Sequence, residues 1–92
     1  MLTLEQSKSL LLENLKKEGL SNLIIFDEWT IEGPNYFVFS CNSKRFFESR
    51  DYSDLIIGRT AYILDRVNGK VLGVSTAEPI EYFIDLFEKG LL

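Results

Sequence analysis

Histidine is absent from this chain, and cysteine occurs once, at position 41. The first absence removes the side chain whose unperturbed pKa lies nearest neutrality, the usual base of serine and cysteine nucleophiles. It also removes the commonest metal ligand. A single cysteine excludes an internal disulfide and, without histidine, a structural zinc site. It also fits a reducing compartment. Basic clusters are missing too. No Lys/Arg run exceeds two residues (Lys16-Lys17 and Lys44-Arg45), and ten basic against fourteen acidic residues leave a net charge of −4. Nucleic acid calls for a concentrated basic face and is disfavoured as a partner. No apolar run approaches the ~20 residues that cross a bilayer. The opening stretch, MLTLEQSKSLLLENLKKEG, has no basic leader and no unbroken apolar segment, so it does not read as a secretory signal. The expected location is the cytoplasm, away from membranes.

What is present suffices for one core. Hydrophobic residues fill 46% of the 92 positions and aromatics 13%, enough for a single domain over 1–92 without a metal or a disulfide. Thr3 with Gln6 three residues on is a capping-box pattern, and Leu4, Leu11, Leu12 and Leu15 fall near one helical face. Gly19 is a natural stop. Residues 23–32 read as a strand whose alternation breaks at Asp27-Glu28. A one-residue bulge there would return Ile24, Phe26, Trp29 and Ile31 to one face. Gly33-Pro34-Asn35 is a turn. In the following strand, 36–41, Phe37, Phe39 and Cys41 alternate with Tyr36, Val38 and Ser40, which suggests a buried and a wetter face. Phe46 and Phe47 call for an anchor, such as a short strand. Residues 61–67 and 70–75 are two strands joined by Asn68-Gly69, the sequence signal of a type I′ hairpin with φ > 0 at both positions. Arg66 and Lys70 beside that turn are expected in solvent, and Asp65 is expected to hydrogen-bond backbone near it. Pro79 marks a last helix, with Ile80, Phe83, Ile84, Phe87 and Leu91 at clean helical spacing.

The order helix, four to five strands, helix, with short connections, predicts an α+β fold. The N-terminal helix packs on a curved antiparallel sheet, and the C-terminal helix closes an edge or a second patch. A cystatin-like arrangement, one helix cradled by four strands, is the favoured topology. Chemistry is harder to find. Cys41 has no base in view and reads as a small buried hydrophobe. The acids Asp27, Glu28, Glu48, Asp51 and Asp54 match no metal or hydrolytic spacing and read as a solvated or partner-facing surface. Tyr36, Tyr52, Tyr62 and Trp29 divide between core and a protein interface. No enzyme activity, metal or cofactor is expected.

One resemblance adds to this. Tyr36-Phe37-Val38-Phe39, Gly58, Ile63-Leu64-Asp65-Arg66, Gly69 and Thr76-Ala77-Glu78-Pro79 follow, in order and spacing, the pattern of the YrhB-like family of small bacterial proteins, also described as immunity protein 35. The likeness covers residues 35–87. It departs at Arg59-Thr60-Ala61, where the family has Asn-Ala-Pro, and at Ser75, where the family has glycine. The resemblance implies a non-enzymatic protein that binds a cognate toxin, or else a chaperone-like holdase for unfolded clients. Its recurrent positions Gly58, Asp65, Gly69, Thr76 and Pro79 are structural, as is Asn68 of the Asn-Gly turn. For the partner surface, the acidic and aromatic loop Glu48, Asp51, Tyr52 and Asp54 is the expected choice. The toxin would have a basic surface, and the protein would act as monomer or homodimer.

Overall fold

The computed structural model describes residues 1–56, 60–74 and 78–92. Gly58 and Thr76 lie outside them, as do Arg59 and Ser75. The elements run α1 (Leu4–Lys17), β1 (Leu23–Ile25), a 3-10 turn (Asp27–Trp29), β2 (Ile31–Glu32), β3 (Tyr36–Ser43), α2 (Lys44–Ser49), a second 3-10 turn (Tyr52–Asp54), β4 (Ala61–Asp65), β5 (Val71–Val74) and α3 (Ile80–Glu88). The five strands form one antiparallel sheet in the order β1-β3-β4-β5, with β2 also on β3. The class is the α+β one expected, with α1 and α3 towards the two ends of the chain and the short α2 between β3 and β4.

Alternation along β3 assigns each helix to a face. Phe37, Phe39 and Cys41 join Leu23, Tyr62 and Leu64 on one face, under Leu11 and Leu15 of α1. Tyr36 and Val38 join Ile63 and Val74 on the other, where Ile80, Phe83, Ile84 and Phe87 of α3 pack against them. Thus α3 takes the second patch rather than an edge. Of the face expected to be wetter, Tyr36 and Val38 are buried under α3 and Ser40 is half-buried, so it is wetter only towards Ser40. Each fully buried leucine or phenylalanine in these layers contributes roughly 1.5–3 kcal/mol.

Thr3 and Gln6 exchange the two bonds of a capping box. The buried stripe of α1 is Ser7, Leu11 and Leu15; Leu4 and Leu12 are exposed, and Leu10 packs at the margin of the core. The small Ser7 fits where α1 meets the core, but its Oγ has no hydrogen-bond partner.

The edge strand 23–32 is interrupted more deeply than by a bulge. Six positions separate Ile25 from Ile31, whereas their partners Cys41 and Val38 are three apart, so three residues leave the ladder as the Asp27–Trp29 turn. Gly33 is required beyond this, because the Tyr36 ring occupies the place where a Cβ would stand.

The hairpin also differs from its expected form. Asp65 accepts from the Val67 N–H at 2.8 Å and the Asn68 N–H at 3.4 Å, and the Gly69 N–H donates to the Asp65 carbonyl. Both strands therefore stop early, and Gly69 alone takes positive φ (+77°); Asn68 does not. Asn68 Oδ1 instead accepts from the Lys70 N–H. The carboxylate of Asp65, not a type I′ pair, turns the chain. Nor is Arg66 in solvent. Its guanidinium lies 4.4 Å over the Phe37 ring and donates to the carbonyls of Leu2 and Gly33, while Leu2 N–H donates to the Arg66 carbonyl.

Candidate functional site

A buried seam holds the segment after β3. Asn42 donates through Nδ2 to the Ile56 carbonyl at 3.1 Å and accepts the Ile56 N–H at 2.9 Å, so its amide acts as a strand-like partner for a loop. Ser43 N-caps α2 by accepting the Phe46 N–H, and its hydroxyl donates to the Asp54 carbonyl. Phe46 and Phe47 therefore sit on a helix rather than a strand. Phe46 is buried and Phe47 is 47% exposed.

From this base five rings come together. Phe26, buried under the interrupted edge, stacks on Trp29 at 4.6 Å between centroids and meets Phe46 at 5.9 Å and Phe47 at 5.4 Å; Tyr52 lies 6.1 Å from Phe46. Trp29 is 42% exposed and Tyr52 81%. Arg50 ends α2 in the left-handed region (φ +55°). Its guanidinium stands 5.2 Å from the Phe26 and Phe47 centroids and donates to Glu28 at 2.7 Å. An arginine fixed over aromatic faces, among half-exposed tryptophan and tyrosine, is the composition that dominates binding energy in protein interfaces.

The acids divide into engaged and unengaged groups. Asp27 pairs with Lys8 at 2.6 Å and Glu28 with Arg50. Asp54 accepts from Ser49 at 2.7 Å and pairs with Arg45 at 3.3 Å. Asp51 caps the second 3-10 turn, and the Ser53 N–H it accepts holds its carboxyl below the usual range, so it stays charged in mild acid. Glu48 is exposed, with no ion pair among the described residues. Of the four residues singled out in the sequence, Tyr52 is one of the five rings, Asp51 caps the turn that carries it, Glu48 follows Phe47 along α2, and Asp54 is a tie inside the support. Trp29, Phe47 and Arg50 were not in that set. The remaining tyrosines in question, Tyr36 and Tyr62, are core.

Beside the patch runs an open groove of about 630 Å³, lined by Ser21, Ile24, Lys44, Arg45, Leu55 and Ile56 among others. The lone thiol is elsewhere: Cys41 is in the core, and burial pushes its pKa up to about 12, the opposite of an activated nucleophile. Among the described residues no cluster of three or more Cys, Asp or Glu could hold a metal ion, and no helix is long and apolar enough to cross a membrane. The arrangement suits recognition of another surface.

The family model described as immunity protein 35 matches residues 8–85. No curated protein and no solved structure matches the chain.

Proposed function

Since the chain belongs to the immunity protein 35 family, we propose that it binds a cognate bacterial toxin in the cytoplasm and neutralises it without chemistry of its own. The observation that carries the reading is the patch: Trp29, Phe47 and Tyr52 exposed around Arg50 on a hydrogen-bonded base. Large rings already ordered in the free protein lose little conformational entropy on binding. Covering the toxin's active site or its substrate entry is then enough. Glu48 and Asp51 at the rim face a basic surface on the toxin, where they raise the association rate more than the affinity.

The test uses the product of the gene adjacent to this one. Co-expression should relieve the growth defect that product causes, and Trp29→Ala combined with Tyr52→Ala should abolish the relief in a chain that still folds by circular dichroism, although it is less stable for losing the ring stacked on Phe26. If the adjacent product is not toxic, or the double variant protects fully, the reading fails.

The alternative is a holdase, and exposed Phe47, Leu91 and Leu92 favour it; Phe46, being buried, does not. Protection of several unrelated aggregating clients at equal molar ratio would support it over the toxin reading.

A further inference from the structure

The sheet has two edges, and they are unequally guarded. On the β1–β2 side the Asp27–Trp29 excursion breaks the ladder, and Lys8 of α1 crosses to Asp27. Interruptions and charges of this kind prevent a sheet from recruiting another strand. On the other side β5 ends the strand order, with β4 as its one neighbour among the described residues. The Asp65 N–H donates to the Lys70 carbonyl, which sets the phase of the ladder. Ile63–Leu72 and Ala61–Val74 are then the hydrogen-bonded pairs, and the N–H and C=O groups of Val71 and Gly73 point away from β4. Between Val71 and Val74 there is no charge and no proline.

We infer that β5 is a homodimer edge, pairing antiparallel with β5 of a second copy about a two-fold axis through Leu72. That register sets Val71 of each copy opposite Gly73 of the other, so both outward residues of each strand exchange their hydrogen bonds. It also sets a β-branched side chain against a position that has none. On the opposite face the half-buried Leu72 meets its own copy. Lys70 falls opposite Val74, which keeps the two ammonium groups apart. An axis one residue earlier, on Val71, would put Gly73 against Gly69, whose N–H already donates to Asp65, and would bring the two lysines closer. Of these two registers, the one about Leu72 fits the edge. The aromatic patch lies at the far edge and stays open in the pair.

Sedimentation equilibrium of the full chain should show a dimer that dissociates on dilution. Directly opposed residues of a non-hydrogen-bonded pair lie about 4.5 Å apart at Cα, within reach of a disulfide. Leu72→Cys should therefore cross-link to a dimer under mild oxidation, and Leu12→Cys, exposed on α1, should stay monomeric. A wild-type chain that sediments as monomer at every concentration overturns the inference, whether or not the variant folds. So does cross-linking of Leu72→Cys no faster than of Leu12→Cys. Amide protection at Val71 and Gly73 that arises only on adding the toxin would assign the edge to the toxin instead.

Discussion

Arg50 stands where glycine would cost the backbone least. A non-glycine residue in the left-handed region is strained by about 1 kcal/mol or more, and here the side chain offsets that through three ring faces and Glu28. Arg50→Ala keeps the strain and loses the contacts, whereas Arg50→Gly loses both. Chemical denaturation should therefore find the glycine variant the more stable of the two by about 1 kcal/mol, with toxin protection impaired in each. Ser7 offers the opposite case. Its buried hydroxyl has no partner, so Ser7→Ala should raise stability by about 1 kcal/mol. Cys41 gives a pH dependence. Its thiol stays protonated in the folded chain to about 12, against an ordinary value of 9.0. Above pH 9.0 the unfolded chain releases a proton that the folded chain keeps, so stability falls as pH rises through that window and is unaffected below it. The urea midpoint of wild type should drop more steeply there than that of Cys41→Val. The Thr3 cap and the Asp65 turn were legible in the sequence, because their partners lie within three residues. The roles of Arg50 and Arg66 were not, because their partners lie 22 and 64 residues away.

Among elements, those with a long repeat were readable. The helical spacing of 80, 83, 84 and 87 located α3, and alternation over 36–41 located the core strand. Shorter pieces were decided by single polar atoms. Ser43 Oγ starts a helix where two phenylalanines suggested a strand, and the Asp65 carboxylate makes a longer loop than Asn68-Gly69 implied. The burial of Tyr36 and Val38 could not be read from β3 at all, since it depends on where α3 comes to rest. The interrupted edge has an energetic centre in Phe26, which is buried beneath Trp29, Phe46 and Phe47. Phe26→Ala should cost about 3–5 kcal/mol, and loss of the stacked ring should move Trp29 emission to the red. If the midpoint barely changes, the ring cluster is not part of the cooperative fold.

At the scale of the whole molecule, two helices cover both faces of a five-stranded sheet, and its two edges differ: one carries the ring cluster, the other the uninterrupted strand β5. The acidic balance bears on the aromatic edge. Glu48→Lys, which breaks no contact among the described residues, should slow association with the toxin several-fold at low salt and little at high salt. Dissociation and thermal stability should stay the same. The site was half legible because its rim is polar and continuous in sequence, while its rings come from two segments joined only by folding. The Arg66 clamp carries one more consequence. Leu2 and Arg66 exchange backbone and side-chain bonds, and Arg66 also holds the Gly33 turn. A chain leaving the ribosome has made both halves of its ring cluster by residue 52, yet it cannot fasten its beginning until residue 66 has emerged. Closing so long a loop late is a slow kind of step. A chain truncated before Arg66 should therefore complete its ring cluster yet leave its first residues unfastened, with Leu2 as open to proteolysis as a free terminus.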